Sequence, residues 1–240
     1  MQDKLRTGFG GPVVARGIIY VLDRVNDQQD VLRAIELATG KQQWTFAYYA
    51  PPEAKDDPSA GKYKGRWKCP NPVASHTDCG QGRFFITGGY KAGCVMVEAA
   101  REDGQWKVRE LFRNKNCGAK ACKPVFYQDH LYANSTDFDN GLMCLDLSGK
   151  LKWKTSNDNE NGSVLIADGK IFSLQSETGV LRLVRASPDA YHELASPPVC
   201  AGGNVWAPMA ISDGKLLVRR SRTLMCLDVA APRTSDHGRP

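Results

Sequence analysis

One strand pattern returns five times along this 240-residue chain, and it limits the possible folds more than any other feature. Each copy opens with a Pro-Val-like step, passes a Gly or Asp turn, and runs into a strand of aliphatic and aromatic residues. The first copy pairs Pro12-Val13-Val14 with Gly17-Ile18-Ile19-Tyr20-Val21. The second pairs Pro72-Val73 with Arg83-Phe84-Phe85-Ile86, and the third Pro124-Val125-Phe126 with His130-Leu131-Tyr132-Ala133. The fourth pairs Ser163-Val164-Leu165 with Lys170-Ile171-Phe172-Ser173, and the fifth Pro208-Met209-Ala210 with Lys215-Leu216-Leu217-Val218. Aligned on Tyr20, Phe85, Tyr132, Phe172 and Leu217, the copies are 65, 47, 40 and 45 residues apart.

Three of those four intervals match the period of a four-stranded propeller blade, roughly 40–50 residues. The long first interval contains a polar stretch rich in Pro, Gly and Lys, expected as an inserted loop over 48–68. The 23 glycines and 13 prolines fit many short strands joined by turns. The expected fold is therefore all-β: a single β-propeller domain over 1–240, with about five four-stranded blades near 12–47, 72–113, 124–155, 163–195 and 208–229. A polar tail over 230–240 is expected to fray. A ring must hide its strand edges. The fifth blade shows three strands, so either residues 2–8 supply the fourth and close a five-blade ring, or the chain is an arc of a larger ring. An open blade edge in the arc would permit self-association.

A second pattern follows the first. Leu32 to Leu37 leads into Ala38-Thr39-Gly40-Lys41 and then Trp44; Leu142 to Leu147 leads into Ser148-Gly149-Lys150 and then Trp153. Leu224-Met225-Cys226-Leu227-Asp228-Val229 repeats the strand and stops. Glycine in these turns allows positive φ. Glu36 and Asp146 are placed to accept hydrogen bonds from turn amides. An indole four residues past the glycine is suited to cover a seam between blades and hydrogen-bond through its N–H. Cys144 and Cys226 occupy the slot of Ala34 and are expected to be small buried hydrophobes.

The run from Ala34 through Thr39 and Gly40 to Trp44 resembles the tryptophan-docking motif of the quinoprotein alcohol dehydrogenase (pyrroloquinoline-quinone-like) propeller repeats, with Glu36 where Asp is usual. The run Cys144, Asp146, Gly149, Trp153 is similar but one residue shorter. The second copy is degenerate, with Glu102-Asp103-Gly104 as its turn and Trp106 close behind; the fourth has Ser187-Pro188-Asp189 and no Trp. The resemblance covers roughly residues 10–230. It implies a ring of seven or eight blades and a periplasmic or secreted protein, although Met1 to Arg6 shows no signal-peptide pattern. For enzymes of this class it also implies a quinone near the ring axis, Ca²⁺ on oxygen ligands, an Asp base and two adjacent cysteines. No Cys-Cys pair is present.

The expected function is accordingly a non-catalytic binding or scaffold propeller at the cell envelope, similar to the propeller subunit of outer-membrane assembly machinery. It would have a protein partner or a small ligand and no cofactor. The alternative is a dehydrogenase using pyrroloquinoline quinone with Ca²⁺, or a fragment of one. Catalytic and cofactor residues are not assigned. A net charge of +6 is mild, so nucleic acid is not expected. Lys62-Tyr63-Lys64-Gly65-Arg66-Trp67-Lys68 and Arg219-Arg220-Ser221-Arg222 read as a solvated loop and a hairpin tip. No apolar run reaches membrane-spanning length.

Asp137 and Asp139 read as turn residues. Cys69, His76 and Cys79 fit no common zinc spacing, so no metal is expected. Cys117 with Cys122, or Cys69 with Cys79, would pair in an oxidising compartment. Cys94 and Cys200 have no assigned role. His130, at a turn, is expected to be solvated, and no nucleophile elbow is present.

Overall fold

The computed structural model describes residues 11–25, 29–49, 74–89, 92–120, 122–137, 140–156, 162–200, 205–220 and 222–230. These residues form no helix, and no helix is long and apolar enough to cross a membrane. They form nineteen strands in five antiparallel meanders. The first sheet is β1(Val13–Ala15), β2(Ile18–Val25), β3(Gln29–Glu36) and β4(Gln42–Tyr49). The second is β5(Ala74–Asp78), β6(Arg83–Gly88), β7(Gly93–Glu102) and β8(Gln105–Asn114). The third is β9(Val125–Tyr127), β10(His130–Ser135), β11(Gly141–Asp146) and β12(Leu151–Lys154), and the fourth β13(Val164–Ala167), β14(Lys170–Leu174), β15(Leu181–Arg185) and β16(Glu193–Ala195). The fifth has three strands, β17(Ala210–Ser212), β18(Lys215–Arg220) and β19(Thr223–Asp228). Tyr48 and Tyr49 belong to β4, so the expected loop begins later than residue 48. Residues 2–8, the Lys62–Lys68 loop, Cys69 and Asp139 lie outside the described residues.

The first-to-second-strand turns explain the Gly or Asp in every repeat. Four of them are two-residue loops with positive φ at both positions, Arg16-Gly17, Gln128-Asp129, Asp168-Gly169 and Asp213-Gly214, and the longer loop of the second sheet has positive φ at Gly80, Gln81 and Gly82. That geometry matches the twist of the flanking strands, and glycine adopts it without strain. Only the third sheet manages without glycine.

Strand alternation then sorts the side chains onto two faces. Tyr20, Leu32, Ala34 and Trp44 on one face of the first sheet pack against Phe84, Ile86, Val95 and Val97 of the second. The second sheet turns Phe85 and Met96 toward Leu131, Met143 and Leu145 of the third. The third turns Tyr132, Leu142, Cys144 and Trp153 toward Ile171 and Val184 of the fourth. The fourth turns Phe172 and Leu174 toward Leu216 and Val218 of the fifth. Among the described residues the core is thus four apolar seams between successive sheets. Each large buried side chain there contributes about 1.5–3 kcal/mol through burial.

Polar bridges fix how neighbouring sheets sit. Thr77 Oγ1 donates to the Pro124 carbonyl at 2.6 Å between the second and third sheets. Asn134, fully buried, donates to the Gly162 carbonyl at 3.1 Å and accepts from Ser173 Oγ at 3.2 Å between the third and fourth. Ser163 Oγ accepts from the Met209 amide at 3.2 Å on the way to the fifth.

Candidate functional site: the blade seams and an uncovered face

The docking residues lie on the seams. Ala34 stands directly across from Trp44 on β3 and β4, and Cys144 across from Trp153 on β11 and β12. A β-bulge follows the small residue in both cases. The small side chain leaves room for the indole opposite, and the bulge turns the strand at that point. Trp44 lies 5.9 Å from Tyr20 and 6.1 Å from Phe84 of the next sheet, ring centre to ring centre. Trp153 lies 6.1 Å from Tyr132 and 5.7 Å from Tyr191. Its Nε1 donates to the Ser187 carbonyl of the fourth-sheet connection at 2.8 Å. Trp44 differs: its Nε1 is buried without a hydrogen-bond partner among the described residues.

The turns behind these tryptophans are held by their acidic residues. Asp146 Oδ1 accepts from the Ser148 hydroxyl at 2.6 Å and from the Ser148 and Lys150 amides at 2.9 and 3.0 Å. Burial pulls the Asp146 carboxyl upward, but these hydrogen bonds and the charge of Lys152 outweigh it and hold the pKa below its ordinary value. Glu36 departs from the expectation, since its carboxylate accepts from the Thr39 hydroxyl rather than from a turn amide. The reason is geometric: the first turn is one residue longer, and Thr39 itself accepts from the Lys41 amide.

Gly40 and Gly149 both have positive φ. At Gly149 the space is also closed: a Cβ there would stand 2.4 Å from Cε2 of Phe112 and 2.7 Å from Nδ2 of Asn114. The Gly149 carbonyl accepts from Asn114 Nδ2 and Asn116 Nδ2, so this turn of the third sheet rests on the outer strand of the second. Gly149→Ala is expected to lower stability by about 2 kcal/mol, the sum of left-handed backbone strain and overpacking. Urea unfolding of the variant checks it.

The second sheet has a seam aromatic that the sequence pattern missed. Phe112 stands across from Met96, again at a bulge, and its ring lies 6.4 Å from Phe85. The β7–β8 hairpin pairs from Glu102 and Gln105 back past Met96 and Phe112. Its aromatic therefore falls eight residues past Gly104, not four. Counting pairs back from the turn would have found it. Trp106 faces the first sheet, beneath the Arg101 guanidinium 5.2 Å away.

Cys144 is fully buried, and the Tyr132 hydroxyl donates to its sulfur. Burial pushes the Cys144 thiol up to about 11. Cys226 corrects the expectation of burial: it is exposed. The two cysteines hold the same place in their sheets, Cys144 across from Tyr132 and Cys226 across from Leu217. A fourth sheet covers the first pair. Among the described residues nothing of that kind covers the second. Leu224, on the same face, is 66% exposed. This uncovered face carries Ala210, Leu217, Leu224 and Cys226, with a Lys215–Asp228 ion pair at one end and exposed Arg219 at the other.

On β5 of the second sheet, His76 is buried, with Nε2 unpartnered among the described residues. Burial lowers its pKa to about 4, the charge of Lys123 adds to this, and a hydrogen bond to the Tyr20 backbone opposes both. His130 is half-buried, with Nδ1 2.7 Å from the Gln128 carbonyl. Cys117 and Cys122 are both buried and stand as thiols, as do Cys79, Cys94 and Cys144. Among the described residues no three His, Cys, Asp or Glu side chains form a group able to hold a metal ion. Those residues do not supply the carboxylate cluster that would hold the Ca²⁺ of a quinone site in the resembling enzymes.

No family model and no curated protein sequence matches the chain. Solved structures do match its fold. BamB from Moraxella catarrhalis superposes with a TM-score of 0.54 at 12% identity, over 88% of this chain and 54% of that one. The quinohemoprotein alcohol dehydrogenase from Comamonas testosteroni gives 0.54 at 15% identity, over 93% and 42%. A europium-containing methanol dehydrogenase gives 0.52 at 12% identity, over 90% and 48%. The fold is thus that of a β-propeller, as in these structures. The chain spans about half the length of these matched structures. At such identities the likeness is one of fold.

Proposed function

We propose that the chain is a non-catalytic binding or scaffold propeller of the cell envelope, and that the uncovered face of its fifth sheet engages a protein partner. One observation carries this reading. Leu217 and Cys226 sit where Tyr20 with Ala34, Phe85 with Met96 and Tyr132 with Cys144 sit in other sheets, and those pairs are all buried under the following sheet. The occupant that complements such a face is another blade-type sheet, presenting aliphatic and aromatic residues as Phe84, Ile86, Val95 and Val97 do. Trp44 and Trp153 act as the structural docking residues that keep the seams rigid. Support for a protein-binding role also comes from the fold shared with BamB. The envelope location rests on the same likeness.

The chain carries blade-type sheets itself, so a second copy is the first probe. Sedimentation of the pure protein is expected to show concentration-dependent association. Leu224→Glu should weaken it at least roughly tenfold, the effect of placing an unpaired charge in an apolar interface. Leu111→Glu, at an exposed position on the second sheet, should not. A wild-type chain that stays monomeric at every concentration would remove this face as the binding surface. Pyrroloquinoline quinone and Ca²⁺ added to the pure chain are expected to give no alcohol-dependent dye reduction. Turnover there would overturn the non-catalytic reading.

A further inference from the structure

We infer that Cys94 and Cys117 form a disulfide when the chain folds under oxidising conditions, stapling β7 to the connection that leads into the third sheet. Both cysteines are buried in the seam between the second and third sheets. Cys94 stands across from Thr87 on one side and Asn114 on the other. Its Sγ donates to Asn114 Oδ1 at 3.0 Å. The backbone amides of Cys117, Asn116 and Asn114 in turn point at that sulfur.

Cys117 is held in place by the same neighbour that flanks Cys94. Thr87 Oγ1 lies 3.3 Å from the Cys117 carbonyl and 3.7 Å from Cys117 Sγ, and it accepts from the Ala119 amide at 3.2 Å. A sulfur within hydrogen-bond reach of a second cysteine's own amide lies close to that residue's Cα and Cβ. A disulfide needs Cα atoms about 4.4–6.8 Å apart, and side-chain rotation then brings the two sulfurs together.

Cys122 also acts on the Cys117 thiol, but less strongly than Cys94 does. Cys79 Sγ donates to the Thr77 carbonyl and Cys122 Sγ to the Lys123 carbonyl, while Cys144 is bound by Tyr132. The bridge would enclose the whole β7–β8 hairpin, and with it Phe112, the seam aromatic of the second sheet.

The chemistry is thiol–disulfide exchange with a small external disulfide, here oxidised glutathione. One thiolate attacks the glutathione S–S bond and releases one glutathione thiolate. The second cysteine then attacks the mixed disulfide and releases the other. Two protein thiols are oxidised, one glutathione disulfide is reduced to two thiols, and the two protein protons go to the leaving thiolates. Burial pushes the Cys94 thiol up to about 11 and Cys117 higher still, so few thiolates exist in the folded chain. Exchange therefore takes place while the hairpin is forming, before the seam closes.

The test refolds reduced, denatured protein in a glutathione redox buffer, blocks the remaining thiols with N-ethylmaleimide under denaturing conditions, and maps the peptides. The expected product links the Cys94 peptide to the Cys117 peptide, with Cys79, Cys122 and Cys144 alkylated. Alkylation of Cys94, or its linkage to a different cysteine, would overturn the assignment. Should refolding fail, protein made directly in an oxidising compartment is mapped in the same way. The bridge is expected to raise the unfolding temperature by about 5–10 °C over the reduced form. That gain should vanish in Cys94→Ser and in Cys117→Ser. A gain that persists in either variant would place the stabilising bridge elsewhere.

Discussion

Trp153→Ala is expected to lower the stability of the chain by about 3–5 kcal/mol, the cost of removing a buried indole and leaving a cavity. The side chain is only 8% exposed and stands against Tyr132 and Tyr191. Its N–H donates to the Ser187 carbonyl in the next sheet, whereas the buried N–H groups of Trp44 and Trp106 have no hydrogen-bond partner among the described residues. Truncation therefore removes an aromatic seam and leaves a carbonyl short of a donor in one step. Trp153→Phe restores most of the apolar area but not the hydrogen bond, so it should recover most of the loss and leave about 1 kcal/mol. Trp106→Ala serves as the contrast. That indole sits at the margin of its cluster, and its loss should cost about 1 kcal/mol. Urea unfolding of the three variants, read by tyrosine fluorescence and far-UV dichroism, checks the order. Equal losses at Trp153 and Trp106 would deny the seam its role.

The second large effect is one of pH. His76 stays neutral in the folded chain down to about pH 4, because burial and the charge of Lys123 disfavour its protonated form. In the unfolded chain an imidazole takes up its proton near pH 6.5. Between those two values the unfolded state binds more protons than the folded state, so stability rises with pH across the window. The contribution is complete above about pH 6.5 and is lost as pH falls toward 4, by on the order of 3 kcal/mol. Lys123, in the connection that leads into the third sheet, is the charged neighbour, and Asp78, at the end of the strand that carries His76, acts on Lys123 in turn. His76→Gln keeps a donor for the Tyr20 carbonyl and removes the titration. The difference in unfolding free energy between wild type and His76→Gln, measured from pH 4 to 7, should change by that amount. A flat difference would show that the imidazole is not desolvated.

Much of the seam architecture was legible in the residues because it is local. The five aligned positions, Tyr20, Phe85, Tyr132, Phe172 and Leu217, all project from the same face of their sheets, since strand period two carries a repeat onto one side. The turn residues were legible for the same reason: two-residue hairpins with positive φ call for Gly, Asn or Asp. Phe112 was hidden because its hairpin is longer, and the spacing from turn to aromatic depends on hairpin length. The lack of an acceptor for Trp44 among the described residues and the approach of Cys94 to Cys117 were hidden too. Both depend on which backbone groups a neighbouring sheet brings near, and no local pattern encodes that.

Cys226 marks the boundary between the two kinds of information. Its strand, Leu224 to Val229, is nearly a copy of Leu142 to Leu147, and the residues alone determine that both form strands with Cys across from the repeat position. Strand formation and facing follow from alternation and turn chemistry, which act over a few residues. Burial does not, because it requires a second surface. Cys144 has the fourth sheet over it and Cys226 has no counterpart among the described residues, so one is a core residue and the other lies on the face assigned to a partner. Only the tertiary arrangement of the sheets decided that, since apolar area is stabilising where another apolar face excludes water from it.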